Sequence, residues 1–288
     1  MHGKSDMTAS LSIQDALNRG GEMLAARDEN PRLEAALLLA HVLDVPRVRL
    51  HSHPEQPLEP SRSEAYFALI ERRLKGEPIA YLTGRREFWS LELIVNRHTL
   101  IPRPETEQLV QLALERIPPR GALKILDLGT GSGAIALAIA GERPRCQITA
   151  TVVCSRALDV ARTNAQRLNI SNVTFREGAW FAPVAAERFD VIVSNPPYVA
   201  QNDPHLLSGD LPAEPALALV AGPTGMEMIT VLVREAPRHL HTQGWLLIEH
   251  GYNQGAEVAD LLDNENYHQV RTWRDLAGKE RITAGRRG

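Results

Sequence analysis

Lys124-Ile125-Leu126-Asp127-Leu128-Gly129-Thr130-Gly131-Ser132-Gly133 is the stretch whose reading decides the fold. Its first five residues are mainly apolar and read as a short buried strand. Glycines at 129, 131 and 133 allow a tight turn and close approach of a ligand to the backbone. Residues 134–141 continue as an apolar helix, whose first turn offers free N–H groups. The pattern repeats outward from this unit. Residues 147–153 read as a second strand and 155–168 as a helix. Residues 172–176, 189–194 and 244–249 read as the third, fourth and fifth strands. Residues 267–273 and 280–285 read as late strands expected to pair antiparallel. Such alternation predicts an α/β fold with a Rossmann-like, doubly wound, mostly parallel sheet and helices on both faces. The glycine loop also satisfies a relaxed dinucleotide fingerprint, so by itself it leaves the ligand open.

The fourth strand ends in Ser194-Asn195-Pro196-Pro197-Tyr198. Two prolines cannot donate to a ladder, so the strand stops there. The residue before a proline is pushed to an extended conformation. Asn195 is therefore held stiffly at the carboxyl end of a parallel strand, where open α/β sheets bind ligands. An amide oxygen from Asn195 and the Pro196 carbonyl can accept the two hydrogens of a planar NH2 group, with Tyr198 packed on its face. Asn-Pro alone reads as a turn; the four-residue run after a β-run is much more specific.

The rest of the chain bounds the setting. Its 288 residues are 43% hydrophobic and 23% charged, with a net charge of -3, which is ordinary for a globular protein with a sizeable core. That charge argues against a protein whose main work is gripping nucleic acid. Cys146 and Cys154 suggest neither a disulfide framework nor a zinc site, which points to a reducing cytoplasm. Met1 to Ser10 is polar and lacks the apolar core of a signal peptide. No apolar run approaches a membrane span. Residues 12–26, 31–43 and 61–75 read as helices, the second apolar nearly all round. Breakers divide the chain into a helical domain at 1–75, a hairpin and linker at 76–104, and an α/β domain at 105–288. Ile101-Pro102-Arg103-Pro104-Glu105-Thr106-Glu107 is a stiff polar crossing that reads equally as a site wall or a linker.

With the glycine loop and Asn195-Pro196-Pro197-Tyr198 in place, the chain resembles a class I S-adenosylmethionine-dependent methyltransferase acting on nitrogen. More closely it resembles the bacterial peptide-chain-release-factor glutamine methyltransferases. Supporting stretches are Arg86-Glu87-Phe88-Trp89-Ser90, Leu100 to Glu107, Asp203-Pro204-His205-Leu206 and Glu249-His250-Gly251. The resemblance covers nearly the whole chain. It implies methyl transfer from S-adenosyl-L-methionine to the glutamine side-chain amide in a Gly-Gly-Gln loop of class I peptide chain release factors. It also implies that Gly129, Thr130, Gly131, Ser132 and Gly133 line the methionine and ribose side of the cofactor. Trp180 would lie near adenine, Asn195 would also contact the cofactor, and Asn195, Pro196, Pro197 and Tyr198 would hold the substrate amide. Asn195, Pro196 and Tyr198 carry the catalytic role, and the helical domain docks the substrate protein. Neither a membrane nor direct nucleic-acid binding is expected.

The sequence departs from that family at two cofactor positions. The family carries an acid for the ribose hydroxyls where this chain has Val152, and an acid suited to the adenine amine where it has Ala179. Neither side chain can accept those bonds. Two alternatives stay open. One is a nucleic-acid amino methyltransferase, since base amines also suit an Asn-Pro-Pro-Tyr clamp; it calls for a basic or base-stacking surface. The other is a catalytically weakened homologue that binds a release factor.

Overall fold

The structure, a computed structural model, describes residues 11–26 and 30–288; the polar start at 1–10 lies outside them. The chain divides into two compact units, 1–84 and 85–288. The first unit holds α1 (Ile13–Leu24), α2 (Pro31–Leu43), α3 (Arg47–Ser52), α4 (Pro60–Leu74) and α5 (Ile79–Thr83). Ser12 and Asp15 close a capping box on α1: the Ser12 hydroxyl accepts from the Asp15 N–H at 3.1 Å, and the Asp15 carboxylate accepts from the Ser12 N–H. Gly20 lets α1 lie directly against Tyr66 of α4, because a Cβ there would sit 1.9 Å from the phenol oxygen. Arg73 is buried and forks onto Glu34 at 2.7 and 2.8 Å, joining α4 to α2.

The second unit opens with a hairpin, β1 (Arg85–Phe88) and β2 (Leu91–Ile94), followed by α6 (Thr106–Arg116). Then come β3 (Lys124–Leu128), α7 (Ala134–Glu142), β4 (Gln147–Val152), α8 (Ser155–Arg167), β5 (Val173–Glu177) and β6 (Phe189–Ser194). After the prolines lie β7 (Val199–Ala200), α9 (Ala216–Leu219) and β8 (Val220–Gly222). The chain ends with α10 (Glu227–His239), β9 (Leu240–Glu249), α11 (Gly255–Asn264), β10 (Tyr267–Arg274) and β11 (Glu280–Arg287). Seven strands form one sheet in the order β10-β11-β9-β6-β3-β4-β5, with β11 antiparallel to both its neighbours and the other pairs parallel. Chain order therefore reverses between β3 and β6.

Alternation along each strand loads both faces. Ile125, Val191, Val193 and Leu247 join one buried cluster with α6 and α7. Leu126, Ile192, Leu246 and Ile248 join another with α10 and α11. A strand covered on both sides is apolar at most positions, which is why these strands read as near-continuous runs rather than alternating ones.

The division of the chain differs from the borders expected at 75 and 104. Gly76-Glu77-Pro78 only ends α4; α5 then folds back onto α2 and α4 and stays with the first unit. The hairpin belongs to the second, where the buried Asn164 of α8 accepts from the Ile94 N–H at 2.7 Å and donates to its carbonyl at 3.0 Å. Helices α3, α10 and α11 are not marked by the breaker pattern. Pro237 sits in the last turn of α10, where the residues upstream have already made their helical bonds, so it ends the helix instead of preventing it.

Candidate functional site

The reversal between β3 and β6 puts their carboxyl ends side by side. Leu128 pairs with Ser194, so Gly129 and Asn195 leave the sheet at the same level. Crevices of this kind are where open α/β sheets hold ligands. Thr151 at the end of β4 pairs with Leu128, and Val152 with Glu177 at the end of β5. Ile248 on β9 pairs with Ser194, which brings Glu249 beside Asn195. The sequence-predicted residues thus gather on one edge: the glycine loop, Val152, Ala179, Trp180 and Asn195 to Tyr198.

Asn195 is half-buried and donates from Nδ2 to the Thr106 hydroxyl at 3.1 Å. Thr106 and Asn195 both favour the ionised form of the neighbouring Glu249. Glu249 is 1% exposed, and its Oε2 has no protein partner. Burial pushes its pKa up from 4.5 to about 7, against the pull of Thr106, Arg281 and Asn195. Pro196 is buried and Pro197 half-buried. Burial also pushes the Tyr198 phenol up, with Glu249 adding to the effect. The Tyr198 carbonyl accepts from Gln254 Nε2 at 3.1 Å, while Gln254 Oε1 accepts from the Gly251 N–H at 2.8 Å. Gly225 is required here: its φ is +88°, and a Cβ would lie 2.6 Å from the Tyr198 carbonyl oxygen.

The crossing before α6 is braced at several points. Buried Glu214 accepts from the Ile101 N–H at 3.0 Å and pairs with Arg103. Arg86 Nε donates to the Pro102 carbonyl at 3.2 Å. Ile101 to Glu105 is therefore tied to the loop before α9 as well as to the hairpin, and it delivers Thr106 to Asn195. The stretch is thus a braced crossing beside Asn195.

On the other side of β3, the Thr151 carbonyl accepts from the Gly129 and Thr130 N–H groups at 2.9 and 3.0 Å. Thr130, Ser132 and Gly133 are buried, whereas Gly129 is exposed. A Cβ added at Gly131 would meet nothing nearer than 3.9 Å, and at Gly129 nothing nearer than a Trp180 ring carbon at 3.8 Å. The loop thus presents bare backbone beside an aromatic ring, a cradle suited to a nucleoside-bearing cofactor. Trp180 is held by the Thr151 hydroxyl, which donates to its carbonyl at 3.2 Å, and it adopts φ +47°. Val152 is half-buried and Ala179 exposed. Neither carries an acceptor, so the cradle fits S-adenosylmethionine through the glycine loop and Trp180 but not through these two side chains.

Thr106, Glu249 and Asp127 lie in the motif stretches but were given no role of their own, and Glu214 and Gln254 lie outside those stretches; all five are site or bracing residues. Asp127 is wholly buried below the glycine loop; its Oδ2 accepts from the Thr130 hydroxyl at 2.6 Å and the Ala136 N–H at 3.2 Å, and its Oδ1 has no partner. Burial raises it from 3.8 to about 6. An acid inside or ending an apolar strand run, as in Leu126-Asp127-Leu128 and Leu247-Ile248-Glu249, was the available signal. A buried carboxylate is costly unless it is used.

Residues 15–84 match the model of the PrmC N-terminal domain, and residues 103–209 match that of the methyltransferase small domain. The release factor glutamine methyltransferase of Xylella fastidiosa (strain Temecula1) is 48% identical over 264 residues, 92% of this chain and 96% of the relative. That of Escherichia coli K12 is 46% identical, covering 90% and 93%. A methyltransferase structure from Pyrococcus furiosus shares the fold at TM-score 0.53 and 23% identity, covering 76% of this chain and 97% of that one. The sheet order and the methyltransferase small domain define a methyltransferase of the doubly wound α/β class. The likeness over almost the whole chain then places it: it belongs to the release factor glutamine methyltransferase family.

Proposed function

We propose that this protein transfers a methyl group from S-adenosylmethionine to the side-chain amide nitrogen of the glutamine in the Gly-Gly-Gln loop of class I release factors. The observation that carries the reading is the orientation of Asn195. Its Nδ2 is engaged by the Thr106 hydroxyl, so Oδ1 is the edge left to face a ligand. Among the described residues none donates to the Pro196 carbonyl. These two oxygens accept the two hydrogens of the substrate NH2 and aim its lone pair; Tyr198 supports the face of the amide. An amide nitrogen is a weak nucleophile, and the site offers it position and acceptors for the positive charge that develops there. When bound, the cofactor supplies an electrophilic methyl on a sulfonium; the glycine loop and Trp180 would hold it. The proton released from nitrogen passes to water.

The helical unit is assigned to docking of the protein substrate, since every candidate cofactor contact lies beyond it in the chain. No helix among the described residues is long and apolar enough to cross a membrane, which agrees with work on translation factors in the cytoplasm. The test is mass spectrometry of a purified release factor incubated with this protein and S-adenosylmethionine. A gain of one CH2 on the Gly-Gly-Gln glutamine is expected, and an unmodified peptide overturns the proposal. Val152 and Ala179 favour a second reading, in which the protein binds the release factor without turnover; a cofactor titration that shows no binding would select it.

A further inference from the structure

We propose that Gln254 and His250 are positioning residues that hold Tyr198 against the substrate amide, through a buried chain of hydrogen bonds that starts at the antiparallel edge of the sheet. The inference rests on the proposed use of Tyr198 as support for that amide. Gln254 Nε2 lies 3.1 Å from the Tyr198 carbonyl oxygen, and its Oε1 lies 2.8 Å from the Gly251 nitrogen. A carbonyl only accepts and a backbone N–H only donates, so both ends of the Gln254 amide are fixed and a flip would satisfy neither partner. The Gly251 carbonyl lies 2.9 Å from His250 Nδ1, which must therefore carry a ring proton. Burial lowers the His250 pKa, so the ring is neutral and its Nε2 accepts. The Thr283 hydroxyl, 2.8 Å away, donates to Nε2, and so it can only accept from the Thr272 hydroxyl at 2.9 Å. Every step runs in one direction, from Thr272 to the Tyr198 carbonyl.

Two prolines leave the segment between Asn195 and Tyr198 without an N–H donor, so its main chain cannot be tied down as a strand is. The bond from Gln254 supplies a tie at the far end of that segment. The surrounding backbone is shaped to the Gln254 amide. A Cβ at Gly251 would stand 3.0 Å from Gln254 Oε1, and one at Gly225 would stand 2.9 Å from Gln254 Nε2 and 2.6 Å from the Tyr198 carbonyl oxygen. Glycines from two separate loops thus leave room for one side chain. Gln254 is buried although it directly precedes α11, and its side chain makes no bond to the first turn of that helix. Helix capping therefore does not account for it. His250 and Thr283 are wholly buried. Thr283 pairs with Ile248 on one side and Thr272 on the other, so the chain of bonds is rooted in the sheet. A supporting ring fixed to the sheet in this way is in place before the substrate arrives, and it needs no rearrangement as the methyl group moves.

The experiment compares the full chain with two variants at position 254. Gln254→Met keeps the shape and removes both bonds; Gln254→Glu, ionised at alkaline pH, keeps the acceptor for Gly251 and loses the donor to Tyr198. Release-factor methylation at saturating S-adenosylmethionine and alkaline pH should fall about tenfold in kcat in both, with the KM for release factor and the Tm near the parent's. Gln254→Met placed in a Tyr198→Ala background should cost almost nothing further, because Gln254 acts through Tyr198. Thr283→Val should lower kcat about threefold, and Thr283→Ser, which keeps the hydroxyl, should recover most of that. A second arm uses nuclear magnetic resonance of the chain labelled with 13C-tyrosine and 15N-histidine, the signals assigned by their loss in Tyr198→Phe and His250→Gln. The Tyr198 carbonyl signal should move in both Gln254 variants, and in the parent His250 should carry its proton on Nδ1 alone. A lowered Tm with the parent's kcat in both Gln254 variants, an undiminished effect of Gln254→Met in the Tyr198→Ala background, an unmoved Tyr198 carbonyl signal, or a His250 proton on Nε2 would each overturn the inference. If the parent leaves the release factor unmodified, the proposed function fails instead, and the labelled signals still decide whether Gln254 and His250 hold Tyr198.

Discussion

At the ends of β6 and β9, Asn195, Thr106 and Glu249 gather; at the ends of β4 and β5, the chain presents Val152 and Ala179. The first half of the edge is built from side chains, with Asn195 bonded to Thr106 beside the buried Glu249 and Tyr198 braced by Gln254. The second half is built from main chain: the Thr151 carbonyl holds two loop N–H groups, and Gly129 and Gly131 stand bare. The contrast separates two kinds of recognition. A side-chain network aims one atom and loses its purpose when one member changes. A backbone cradle keeps its shape when neighbouring side chains change, because main-chain groups are present whatever the residue. The substrate side is therefore sensitive to single substitutions, and the cofactor side has room for improvement.

Substitutions can break or sharpen this contrast. The largest effect is expected from Asn195→Ala, which removes the oriented acceptor: single-turnover methylation should fall by about a hundredfold, roughly 3 kcal/mol, with the fold intact by circular dichroism. A variant at the parent's rate would remove the clamp from the mechanism.

Next in size is the pH dependence that the buried carboxylates impose on stability. Glu249 stands above its ordinary value when folded, at about 7 against 4.5. A group raised in this way stabilises the fold fully at pH below its unfolded value, and the contribution is lost as pH rises through the folded one. The parent should therefore lose up to about 3 kcal/mol between those two values, from this group alone. Asp127 acts with the same sign in a lower window, from 3.8 to about 6. Urea unfolding over a pH series should show a shallower decline for Glu249→Gln than for the parent. Parallel curves would mean that Glu249 is not held protonated by burial.

On the cofactor half, Val152→Asp should tighten S-adenosylmethionine binding by about tenfold, and Ala179→Asp added to it should tighten it further. Calorimetric titration of the parent, both singles and the double measures this, including any coupling through the shared ligand. Unchanged affinity throughout would place the ribose elsewhere. The smallest effect is assigned to Gly131→Ala. Its φ of +55° strains any other residue by roughly 1 kcal/mol, while the open space around it accepts a methyl group. A small drop in Tm should accompany weaker cofactor binding; a larger loss of stability than of affinity would show that the loop serves packing first.

Much of this edge was legible in the chain itself. Pro31–Leu43 begins at the proline and ends before the left-handed Asp44, and Phe189–Ser194 stops at the prolines, as local backbone restriction demands. Helices α10 and α11 were not legible from breakers. Yet Ile229, Leu232, Val233 and Ala236 are buried on one face of α10 at the spacing of a helical stripe, a periodicity that outweighs the proline near its end. Val152 and Ala179 were legible as departures, because a missing acid is visible in sequence and its surroundings are not needed to count acceptors.

The sequence by itself determined where backbone stiffens and where it loosens: prolines end β6 behind Asn195, and glycines open the loop behind β3. These are properties of single residues and their immediate neighbours, limited by sterics on φ and by missing donors. Only the tertiary structure decided that Thr106, Asn195 and Glu249 meet. Thr106 and Asn195 lie 89 positions apart, and no local pattern joins them. The strand order sets Asn195 between the ends of β3 and β9, and the ion pair of Arg103 with Glu214 holds the segment that carries Thr106. A buried carboxylate acquires its raised pKa and its partners only when remote strands exclude water around it, so its role exists in the folded protein alone.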